Sequence, residues 1–133
     1  MSYRPRIAAA AAALALATSA AAPALAAALG PSDYVCTGIG ADSREDPALN
    51  NYPLKLVFAK ANGDYLSNIV VQLTDSSGAQ VVDVLCAGPW FLAKLPAGSY
   101  KARFLLDGKI ERTATVTAPA TGQKQVVVTF PGV

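Results

Sequence analysis

The chain contains no histidine, so a Ser/His/Asp triad, a Cys/His dyad and a His-ligated zinc site are excluded at the outset. Three groups of residues remain that could do chemistry or bind. Asp42, Glu45 and Asp46 bunch beside Gly38 and Gly40, with Arg44 in their midst. Carboxylates this close could hold calcium or touch a partner, yet the run lacks the alternating ligands and distal glutamate of an EF-hand, and a solvated loop is the simpler expectation. The two glycines also fail as a dinucleotide fingerprint, because no strand-to-helix context surrounds them. Trp90 and Phe91, next to Gly88-Pro89, could form an aromatic platform for a sugar ring or an apolar partner, which Tyr34, Tyr52 and Tyr65 could extend. Successive residues of a strand face opposite ways, so one of that pair belongs to the core. The third group is Cys36 and Cys86, the two cysteines of the chain. A metal site needs more ligands than two sulfurs and a redox pair is normally closer, so these read as a disulfide. No metal, cofactor or catalytic residue is expected.

The N-terminal segment has a different composition from the rest. Arg4 and Arg6 precede an apolar run from Ile7 to Ala17, and Pro23 leads into Ala24-Leu25-Ala26. These are the parts of a secretory signal over residues 1–26, with cleavage after Ala26. The run is too short to cross a hydrocarbon core, so no transmembrane anchor is expected after cleavage. Losing both leading arginines from the 11 basic residues leaves a chain balanced against its 9 acidic ones, without the basic patch that nucleic acid or an anionic membrane would require. Export also supports the disulfide, since the compartment is oxidising. Closing a loop of about 50 residues restricts the unfolded chain by ~4 kcal/mol, a large share of a small domain's stability.

The elements that must position these residues are strands. From residue 54 onward apolar residues recur at every second position, with no helical period. Leu54, Leu56 and Phe58 share one face, and Asn62-Gly63-Asp64 supplies a turn. Ile69, Val71 and Leu73 alternate with Val70, Gln72 and Thr74 up to Asp75-Ser76-Ser77-Gly78, after which Val82, Val84 and Cys86 alternate with Val81, Asp83 and Leu85. Trp90 to Leu95 makes a short strand. Tyr100, Ala102, Phe104 and Leu106 then face inward until Asp107-Gly108, a strong hairpin signal. A return strand and a closing set of Val126, Val128 and Phe130 follow. The count is seven strands in a β-sandwich domain over 54–133, preceded over 27–53 by an ordered arm without periodicity, which Cys36 would tie down.

Leu95-Pro96-Ala97-Gly98-Ser99-Tyr100, followed by an alternating strand, a tight turn and Val126-Val127-Val128-Thr129-Phe130, resembles the carboxypeptidase regulatory-like domains of exported bacterial proteins. The resemblance runs from about Tyr65 to Phe130 and implies an antiparallel, Greek-key sandwich similar to transthyretin. The motif packs: Pro96 sets φ, Gly98 permits a positive-φ turn and Tyr100 restarts the core face. An enzyme on that fold, hydroxyisourate hydrolase, depends on histidines and a Tyr-Arg-Gly-Ser ending, and this chain has neither.

The resulting expectation is a non-enzymatic protein of the periplasm or exterior, a binding or accessory module whose partner is a cell-envelope protein or a carbohydrate. Trp90, Phe91, Asp42, Glu45 and Asp46 are its candidate contacts. The alternatives are an assembly or adhesion subunit working through an exposed edge at Trp90 to Leu95, and a hydrolase using carboxylates of the 42–46 region.

Overall fold

A computed structural model describes residues 33–133; the expected signal sequence and its cleavage point lie outside the described residues. Eight strands form two four-stranded sheets. One sheet, in the order β1-β5-β2-β8, contains β1 (Tyr34–Thr37), β5 (Trp90–Ala93), β2 (Leu54–Lys60) and β8 (Lys124–Phe130). The other, in the order β4-β3-β6-β7, contains β4 (Gln80–Cys86), β3 (Ile69–Thr74), β6 (Gly98–Leu106) and β7 (Ile110–Ala118). Between β1 and β2 the chain forms a single helical turn, α1 (Ala41–Arg44), and a 3-10 turn over Pro47–Asn51.

The alternating residues face where their period places them. Leu54, Leu56, Phe91 and Phe130 on one sheet and Ile69, Val71 and Phe104 on the other are fully buried between the layers. Phe58 meets Phe104 edge-on across the gap, with ring centroids 5.5 Å apart. The expected hairpin is present, β6 pairing with β7 across Asp107-Gly108, where both residues hold positive φ, and β3 likewise pairs with β4 across the Asp75–Gly78 turn.

Three expectations are corrected. The described residues contain eight strands rather than seven, because the arm contributes β1, paired antiparallel with β5. All four residues of β1 are half-buried, so the strand carries no in/out alternation to read. The first sheet is mixed, since β2 and β8 run parallel. Val81, expected on the outer side of β4, is buried. Leu73 faces Val82 and Thr74 faces Gln80, so Val81 is the extra residue of a β-bulge, and the bulge turns it inward beside Val82.

Cys36 and Cys86 form a disulfide. It joins β1 at one edge of the first sheet to β4 at an edge of the second, and so closes one flank of the sandwich. At the opposite flank β7 and β8 touch across the layers. There the first half of β7 outruns its cover: Ile110, Arg112 and Ala114 share the inward side with buried Val116 and Ala118, yet all three are exposed.

Candidate functional site

The sequence candidates assemble at two different places. Trp90 and Leu92 point to the outer side of the β1-β5-β2-β8 sheet, where Val57 lies beside Trp90 in register. With Leu49 of the 3-10 turn they form a second, smaller core, against which Val35 and Tyr52 pack. The arm lies over this face. Cys36 ties it on one side, and on the other Gln123 Nε2 donates to the Leu49 and Tyr52 carbonyls at 2.8 and 3.0 Å.

Trp90 is therefore packed rather than presented. It is 8% exposed. The Lys55 ammonium sits 3.4 Å from its ring centroid, Gly38 lies against the indole, and Tyr65 meets its edge at 6.5 Å. Burial lowers the pKa of Lys55 from its ordinary 10.5, while the π-face beneath it favours the charged form. The indole N–H is buried without a hydrogen-bond acceptor among the described residues, so packing and the cation hold the ring. Phe91 points the other way, fully buried in the central core. Of the tyrosines, Tyr65 and Tyr52 join this neighbourhood, and their faces are met by Arg44 at 4.7 Å and Lys94 at 5.2 Å. Tyr34 instead stacks on Phe91.

Asp42, Glu45 and Asp46 are exposed on the arm. Asp46 caps the 3-10 turn by accepting from Ala48 N at 2.9 Å. Arg44 turns away from them, donating to the Gly38 carbonyl at 2.8 Å. These carboxylates belong to no group able to hold a metal ion among the described residues. The Trp90 to Leu95 edge is also corrected: β5 is an interior strand, paired with β1 on one side and β2 on the other.

An open concavity among the described residues lies on the opposite sheet. Two adjoining clefts of about 420 and 460 Å³ run over the outer side of β3, β6 and β7 and share Thr74, Lys101 and Thr115. Cross-strand register builds this surface: Thr74, Lys101 and Thr115 stand side by side, as do Gln72, Arg103 and Thr113. Gln72 donates to Asp83 at 3.3 Å, Arg103 donates to Gln72 at 3.2 Å, and Arg103 pairs with Glu111 at 3.0 Å. Asp83, Gln72, Arg103 and Glu111 thus form a chain across the sheet. The hydrogen bond from Arg103 lowers the Glu111 pKa from its ordinary 4.5, and the same bond raises that of Arg103. Lys101 makes no ion pair among the described residues.

One end of the larger cleft is formed by the Asp75–Gly78 turn and Tyr100. Asp75 Oδ1 accepts from Ser77 N, Ser77 Oγ and Ala79 N at 2.9, 2.6 and 3.1 Å, which organises the turn. Tyr100 Oη donates to the Pro96 carbonyl at 2.6 Å. Burial, and then the charge of Asp75, raise the Tyr100 pKa from its ordinary 10.0. Sequence reasoning placed these residues as turn, core and wet face without joining them. The available signal was the outward set of these strands, but the two hairpins name only the β3–β4 and β6–β7 pairs and leave out the β3–β6 pairing that joins them.

Fold and surface together define a disulfide-stapled two-sheet β-sandwich with one face covered by its arm and one open polar face. No family model matches the chain, and no curated protein matches it significantly. No helix of the described residues is long and apolar enough to cross a membrane.

Proposed function

We propose that the chain is an exported, non-enzymatic β-sandwich that serves the cell envelope as a binding or accessory module, and that its ligand is a carboxylate-bearing carbohydrate held on the β3–β6–β7 face. The observation that carries this reading is the pair of adjoining clefts on the sheet face left bare by the arm, centred on Lys101, which makes no ion pair among the described residues. Around that cation the surface offers threonine hydroxyls and the Gln72 and Gln80 amides, which suit sugar hydroxyls, while Lys101 suits a carboxylate. The covered faces of Trp90 argue against a stacking platform there. A periplasmic or secreted location is supported by the Cys36–Cys86 bridge, a bond favoured in oxidising compartments.

The regulatory-like, transthyretin-like fold remains part of this proposal. It is supported by the Leu95–Tyr100 motif, in which Gly98 holds φ at +149° and Tyr100 anchors back to Pro96. The absence of histidine and the exposed positions of Asp42, Glu45 and Asp46 support a non-enzymatic role.

The test is calorimetric titration with a polyuronate and with a neutral polysaccharide. Binding of the polyuronate, weakened about tenfold or more by Lys101→Glu with an unchanged melting temperature, is the expected result. Equal affinity for both polymers, or indifference to Lys101→Glu, overturns the assignment.

A further inference from the structure

We propose that β8 pairs edge to edge with β8 of a second copy of this chain, antiparallel about a two-fold axis through Val127. The inference goes beyond the ligand face, which lies on the other sheet, and begins with the four sheet edges. Unpaired edges invite further strands unless shortness, charge, proline or a bulge protects them. β1 has only four residues, and β4 carries the bulge at Val81 and the charge of Asp83. The disulfide ties these two edges together. β7 carries Glu111 and Arg112 in its exposed half.

β8 has none of these protections beyond Lys124 at its start. Gln125 to Phe130 contains no charge and no proline, and it keeps unbroken register with β2. Among the described residues nothing pairs with its other side. The flank is also underfilled: Val127 is 53% exposed on the outer side of β8, and Ile110 is 43% exposed on the inward side of neighbouring β7.

The pattern of the strand selects its occupant. Folded back on itself about Val127, Lys-Gln-Val-Val-Val-Thr-Phe sets Val127 against the partner's Val127, Val126 against the partner's Val128, and Gln125 against the partner's Thr129. Lys124 falls opposite the partner's Phe130. β-Branched pairs and an amide–hydroxyl pair are favourable cross-strand neighbours, and no like charges oppose. The surface is self-complementary, as an isologous dimer requires. The Trp90–Val57–Val127 row would continue unbroken into the second subunit.

The experiment is sedimentation of the oxidised full chain over a range of concentrations, with Val127→Lys, Val127→Glu and Thr113→Lys as variants. The parent and Thr113→Lys associate to dimers. Val127→Lys, which sets two ammonium groups face to face, weakens association by about a hundredfold or more, and mixing it with Val127→Glu restores dimers. In the parent, hydrogen exchange of β8 amides slows as concentration rises, a readout independent of whether the variants fold. A parent monomeric throughout with concentration-independent exchange overturns the proposal, as does a dimer lost in Thr113→Lys but kept in Val127→Lys.

Discussion

Gly38 lies so close to Trp90 that a Cβ built on it would stand 2.8 Å from the indole Cγ, and its φ of +97° is one that L side chains rarely adopt. Backbone and ring are pressed together where the arm turns onto the sheet. Gly38→Ala should therefore destabilise the protein by about 2–4 kcal/mol through combined strain and overpacking. Chemical denaturation followed by Trp90 fluorescence measures this; a variant as stable as the parent would show that the arm does not rest on the ring.

The disulfide closes a sequence separation of 50 residues, and its loss should cost about 4 kcal/mol. Trp90 is the one tryptophan of the chain, so its emission reports on the arm directly. Reduction should shift that emission to longer wavelength as β1 loosens and water reaches the indole. Unchanged emission in the reduced, folded protein would mean that the arm is held without the bridge.

Asp75 is 8% exposed and accepts three hydrogen bonds through one oxygen. Asp75→Ala should lower stability by about 2–3 kcal/mol, because the turn amides lose their acceptor. Asp75→Asn should fall between the two, since its amide oxygen can still accept. Urea denaturation of the three proteins tests the order.

Tyr100 makes stability sensitive to alkali. Its pKa in the folded chain lies above the ordinary 10.0, so above that value the unfolded chain gives up the phenolic proton more readily than the folded one. The contribution is fully present below pH 10.0 and is lost as pH rises through the folded-state value. Tyr100→Phe should flatten this alkaline limb while costing about 1 kcal/mol at neutral pH for the lost bond to Pro96. Melting curves across the alkaline range measure both effects.

Glu111 acts in the opposite direction. Its folded-state pKa lies below the ordinary 4.5, so its contribution is present above that value and disappears as pH falls through the folded-state one. The pair with Arg103 is solvent-exposed, and Glu111→Gln should barely move the melting temperature at neutral pH. A marked loss there would show that the Asp83–Gln72–Arg103–Glu111 chain acts as one unit.

Local regularity made much of this architecture readable from residue order. Two-residue alternation identified the strands from Leu54 onward and most of their inward faces, and Asp107-Gly108 marked a hairpin because its turn needs positive φ at both positions. The even cysteine count pointed to the bridge that joins β1 to β4. Alternation is blind to what approaches a strand from elsewhere in the chain. It could not show that β1 inserts beside β5 and makes it an interior strand, or that the first and last strands of the 54–133 region lie parallel. Nor could it show that Trp90 would be sealed under Gly38 and Lys55 while two polar clefts opened around Lys101. Those outcomes depend on contacts between residues tens of positions apart, and their register is set only when the two layers and the arm close on one another.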